Sequence, residues 1–90
     1  MELKDYRELI DAIDREIVRL FLTRMDVVAE IARYKEARGL PVFQADREKE
    51  KLAAVTEGAP EGLKDSLREL YAFVMRLSRE HQARLMEQEG

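Results

Sequence analysis

From Leu3 to Arg38 the chain carries no glycine or proline, and its apolar side chains recur three and four positions apart. That is the period of an α-helix and not of a strand. The seam runs Leu3, Tyr6, Ile10, Ile13, Ile17, Leu20, Arg24, Val27, Ile31 and Tyr34, an alternation that matches coiled-coil spacing. At about 1.5 Å per residue this helix is a rod of about 54 Å, whereas a compact chain of this size has a radius of gyration of about 12 Å. Such a rod cannot fold over itself, so the natural cover for its seam is a second copy of the chain.

Gly39 and Pro41 make one break, and Gly58, Pro60 and Gly62 make another. Between them, from about Ala45 to Glu57, Asp46 and Glu48 suit the positive end of a helix, while Leu52 and Val55 are the only large apolar residues. This predicts a short, partly exposed helix. From about Leu63 to Gln88 one stripe holds Leu63, Leu67, Leu70, Val74, Leu77 and His81, with Tyr71, Ser78, Gln82 and Leu85 beside it. No strand alternation or internal repeat occurs, so the expected architecture is all-α, with three helices per chain: long, short, medium.

Composition narrows the class. The chain has 90 residues, 46% apolar and 39% charged, which predicts a single small domain over residues 1–90 with a thin core. Without cysteine there is no disulfide, thiolate metal site or cysteine nucleophile. Sixteen basic against 19 acidic side chains give a net charge of -3, so no global field favours nucleic acid or an anionic membrane, and any basic site must be local. The longest apolar run, Leu70 to Met75, falls far short of the roughly 20 residues that cross a bilayer. The opening Met-Glu-Leu-Lys-Asp lacks the regions of a secretory signal, which makes the cytosol the expected compartment.

Candidate chemistry appears where polar residues interrupt apolar faces. Arg24 sits on the seam between Leu20 and Val27, where its guanidinium either snorkels to solvent or meets an anion. Eleven residues on, Lys35 returns to within about 20° of the same face at a rise of about 16 Å, so two cations line one side. A lysine there also complements the helix dipole. Ser78 and Gln82 stack four apart on the last helix, either as an interhelical hydrogen bond or as part of a site. Arg47 and Glu48 open the short helix just after the Gly39 to Gln44 connection, either as solvated surface or as ligands for a small anion. His81 is the sole histidine and has no metal-ligand companions. No nucleophile triad, glycine-rich phosphate loop or nucleotide fingerprint is present.

Taken as an ordered set, Arg7, Arg24, Lys35, Arg47-Glu48, Ser78 and Gln82, with the Gly39-Leu40-Pro41-Val42 connection and the Asp46-Arg47-Glu48 helix start, resemble the all-α chorismate mutases. The likeness runs from the start of the first helix through Gln82; no one motif is specific, but the order is. It implies an intertwined helical homodimer that converts chorismate to prephenate, in phenylalanine and tyrosine biosynthesis, without cofactor, metal or covalent intermediate. Arg7, Arg24 and Arg47 match the cations that hold the substrate carboxylates, Ser78 a supporting carboxylate contact, and Glu48 a contact to the ring hydroxyl. Lys35 and Gln82 match the donors to the ether oxygen; with Arg24 and Glu48 they are the expected catalytic set. Gln44 stands where some members carry aspartate near the substrate hydroxyl, and Gln82 where some carry glutamate.

Arg7 and Lys35 lie 28 residues, about 42 Å, apart on one helix, so they cannot reach one small substrate within a chain. If both contact it, Arg7 comes from the antiparallel partner and each dimer holds two composite sites. Two other functions fit the same layout. One is an isochorismate-pyruvate lyase, against which Glu48 and the mutase-like set argue. The other is a catalytically silent helical dimerisation or regulatory module in which Arg24 and Lys35 form interhelical ion pairs.

Overall fold

A computed structural model describes residues 1–89 as three helices in the order long, short, medium. Helix α1 spans Leu3–Arg38, α2 Ala45–Thr56 and α3 Glu61–Glu89. The chain measures 54 × 27 × 14 Å with a radius of gyration of 16.4 Å, well above the about 12 Å of a compact chain this long. Its longest dimension is the α1 rod.

Local chemistry sets the ends of α1. The Glu2 backbone N–H donates to Asp5 Oδ2 at 2.8 Å, satisfying a donor that the first turn leaves open. At the other end Gly39 adopts φ 66°, and the backbone N–H groups of Gly39 and Leu40 donate back to the carbonyls of Glu36 at 3.2 Å and Lys35 at 2.9 Å. This paired closure needs a left-handed residue, which glycine supplies without Cβ strain, and Pro41 then prevents any continuation. The chain is thereby turned at a fixed angle four residues after Lys35.

Helix α3 begins at Glu61, two residues earlier than the apolar pattern predicts. Gly62 reads as a breaker, but first-turn residues lack an intrahelical N–H partner anyway. The Leu63 N–H closes the first turn on the Pro60 carbonyl at 2.9 Å.

Helix α3 packs against both α1 and α2, whereas α1 and α2 do not pack on each other. The in-chain contact face differs from the predicted seams. Among the described residues the buried apolar side chains are Val28, Ala32 and Met75, and the buried polar ones Thr56, Ser78 and Gln82. The larger α1 stripe faces outward, with Ile10, Ile13, Ile17 and Leu20 more than half exposed; the α3 stripe is divided, with Leu63 and Leu70 more than half exposed and Leu67, Val74 and Leu77 half-buried. Every residue from Met1 to Leu20 is exposed. The reason is geometric. The small Ala32 lets α1 and α3 approach closely, and the Met75–Ser78–Gln82 side of α3 is buried more deeply than its bulkier stripe. His81 is half-buried. No helix among the described residues is long and apolar enough to cross a membrane.

Candidate active site

Because α1 and α2 both lean on α3 without touching, a cleft opens between them with α3 as its floor. Its volume is about 420 Å³. The C-terminal part of α1 contributes Arg24 and Lys35, the connection Gln44, the start of α2 Arg47 and Glu48, and α3 Ser78 and Gln82. Those are all the sequence-predicted site residues except Arg7, which lies on the exposed N-terminal part of α1 and does not line this cleft. Val28, Ile31, Tyr34, Leu40, Val42 and Met75 form the apolar walls.

The polar side chains are pre-arranged by bonds between elements. Arg24 Nη1 donates to Ser78 Oγ, and Ser78 Oγ donates to the Val74 carbonyl at 2.9 Å. The serine thus fixes the guanidinium against the floor while its remaining N–H groups stay open to an anion. Lys35 Nζ donates to the Val42 carbonyl at 2.8 Å and to Gln82 Oε1 at 3.0 Å. An ammonium only donates, so this contact fixes the amide orientation: oxygen toward Lys35, NH2 away from it. That NH2 has no protein partner among the described residues. The pair therefore offers two adjacent donors, the third Lys35 proton and the Gln82 amide.

Burial lowers the Lys35 pKa from its ordinary 10.5, opposed by the attraction of the Glu48 carboxylate. The cleft otherwise collects positive charge: Arg24, Lys35, Arg47, Lys51 and Arg79 against the single carboxylate of Glu48. Local charge thus runs opposite to the net -3 of the chain. Arg47 is two-thirds exposed and 3.8 Å from Glu50, placing it at the rim. Gln44 Nε2 donates to the Pro41 carbonyl at 3.3 Å, which leaves its second N–H and its oxygen for a ligand.

Lys51 and Arg79 also line the cleft and were not expected from the sequence. Lys51 carried a signal, since it lies four residues after Arg47 on the same helix face. Arg79 carried none, because its position depends on how α3 is rotated against α2. Among the described residues no group of histidine and carboxylate side chains is placed to hold a metal ion.

Fold and cleft together define an all-α protein with a preformed, cation-lined pocket between helices. Residues 6–83 match the family model for chorismate mutase type II, and the chain belongs to that family. It is similar to the T-protein of Haemophilus influenzae, at 41% identity over 46 residues that cover 51% of this chain and 12% of that protein. It is also similar to the T-protein of Enterobacter agglomerans, at 36% identity over 53 residues covering 59% and 14%. The chain therefore spans about one-eighth of the length of these curated relatives. No solved structure matches.

Proposed function

We propose that this chain is a chorismate mutase, rearranging chorismate to prephenate within an intertwined homodimer that forms two shared sites. The observation that carries the reading is the Lys35–Gln82 pair, two oriented donors side by side in a cation-lined cleft. In the rearrangement the ether C–O bond breaks as a C–C bond forms within the same molecule, so no proton, electron or co-reactant is exchanged. Negative charge builds on the ether oxygen, and donors aimed there favour the transition state over the substrate. Arg24 and Arg47 bind the two carboxylates and select the folded conformer that reacts. Glu48 accepts from the ring hydroxyl, Gln44 donates its second amide N–H to the same oxygen, and Ser78 holds Arg24 in place. No cofactor is needed.

The dimer reading is supported by the exposed apolar face of α1. A chain that buries three apolar side chains among its described residues has too little core to hold a 54 Å rod alone. An antiparallel second copy covers Ile10, Ile13, Ile17 and Leu20 and brings its own Arg7 to the Lys35 end of the cleft. The melting temperature is then expected to rise with protein concentration, because association stabilises the fold by mass action. Ile13→Glu is expected to lower it and to shift the protein to monomer, as read by analytical ultracentrifugation.

The reading is tested by mixing the purified protein separately with chorismate and isochorismate and identifying products, with Arg24→Ala as control. Prephenate from the first mixture supports the mutase. Pyruvate from only the second makes the protein a lyase, and absence of turnover leaves a helical dimerisation or regulatory module.

The pH profile follows from the two donors. Gln82 does not titrate, so the alkaline limb belongs to Lys35, which acts as ammonium. Its lowered pKa means that kcat/KM starts to fall below the ordinary lysine value of 10.5. A bound dianion stabilises the ammonium, so the limb in kcat lies at higher pH than the limb in kcat/KM. Gln82→Glu puts an acceptor where a donor is needed. At pH 7.5 it is expected to reduce kcat by about 10²-fold or more, recovering as acid protonates the carboxyl. A variant as active as wild type at pH 7.5 contradicts this role.

A further inference from the structure

We propose that Arg79 is a positioning residue for this site: it acts through Glu48, holding that carboxylate ready for the substrate and keeping its charge from Lys35. The inference rests on the chorismate mutase reading. The ion pairs Arg19–Glu16, Arg33–Glu30, Arg68–Asp65 and Arg76–Glu80 each lie within one turn of a single helix. Arg79–Glu48 instead crosses from α3 to α2. Its two side chains are also better shielded, at 31% and 21% exposure. Pairs of that kind are less screened than surface pairs, so removing one partner leaves a charge with consequences.

Arg79 also reaches the α1–α2 connection, with its guanidinium carbon 5.0 Å from the centre of the Phe43 ring. A planar cation stacked on a ring and bonded to a carboxylate has little freedom left. One side chain thus ties α3 both to the start of α2 and to the connection. The neighbouring Val42 carbonyl is tied to Lys35. The connection is therefore pinned at consecutive residues from the two opposite helices.

The chemistry explains why a cation is needed beyond the substrate-binding set. The substrate brings two negative charges into a cleft that already holds the Glu48 carboxylate. Arg79 Nη1 donates to Glu48 Oε1, which leaves Oε2 to accept from a hydroxyl and compensates the charge. Lys35 already feels the attraction of the Glu48 carboxylate, and without Arg79 nothing on α3 holds that carboxylate against it. The carboxylate would then repel the substrate and draw away the ammonium that the ether oxygen needs.

Steady-state kinetics with chorismate on Arg79→Met, Arg79→Lys, Glu48→Gln and the Arg79→Met/Glu48→Gln double variant test this. Arg79→Met is expected to raise KM about tenfold and lower kcat as well, with Arg79→Lys partly restoring both. In the Glu48→Gln background the same Arg79→Met change is expected to alter KM by less than about threefold, because the charge it compensates is gone. A residue binding substrate directly, or a plain structural strut, would cost as much in either background, and that outcome overturns the proposal. So does an Arg79→Met variant with wild-type KM and kcat. Side-chain amide resonances of Gln82 give a second readout that needs no turnover: they are expected to shift in Arg79→Met, and an unchanged spectrum also overturns it. If wild-type protein is inert toward chorismate while these resonances shift, the mutase reading fails and the Arg79–Glu48 coupling stands.

Discussion

Lys35→Ala is expected to lower kcat/KM for chorismate by about three orders of magnitude or more while leaving the helical content intact. Removal of one preorganised donor from a developing oxyanion lowers turnover by about 10²–10³-fold. Lys35 does more than donate. Its Nζ also fixes the Gln82 amide and the Val42 carbonyl, so its loss frees the second donor to rotate and loosens the wall of the cleft. The two effects act on one transition state and are not independent, so Lys35→Ala/Gln82→Ala should be little worse than Lys35→Ala alone. Loss of chorismate absorbance at subsaturating substrate gives kcat/KM, and circular dichroism checks the helices. A drop of less than tenfold would remove Lys35 from the chemistry.

Mixing two inactive variants is expected to restore activity. Arg7→Ala and Lys35→Ala each damage both sites of a homodimer, if every site takes Lys35 from one chain and Arg7 from the other. In the mixed dimer one site receives both lesions and the other receives none. Equal amounts, unfolded and refolded together, give about half mixed dimers by random pairing, and hence about one quarter of wild-type sites. Specific activity near that fraction, rising from near zero in each parent, supports shared sites. No recovery, in a sample whose mixed dimers are demonstrated by mass spectrometry, would place Arg7 outside the site.

How far the sequence led differs from element to element. Helix α1 was legible to the residue, because a long uninterrupted period ends in Gly39-Leu40-Pro41, where glycine supplies the left-handed closure and proline bars continuation. The start of α3 was hidden by Gly62, whose propensity matters little in a first turn. The in-chain contact was harder. The seams predict which side chains need cover but not which neighbour covers them, and within the chain the modest face of Val28, Ala32, Met75, Ser78 and Gln82 is used most fully while the large α1 stripe is left outside and the α3 stripe is only partly covered. The cleft residues emerged as an ordered set by resemblance; spacing alone reached only two cations on one face and a polar pair on another. Arg79 was beyond either route. Its contact with Glu48 joins residues 31 apart, and the rotation of one helix against another is a property of packing, not of local pattern.

Helix α1 also constrains how this gene can change. Point substitutions on the outer faces of the rod disturb little beyond themselves. Adding or removing one codon between Arg7 and Arg24 turns everything beyond it by about 100° and moves it by about 1.5 Å, which would carry Arg7 to the wrong side of the shaft. The Gly58–Pro60 turn can absorb such length changes locally. Homologous sequences should therefore vary in length at that turn and hold a constant count of residues along the shaft.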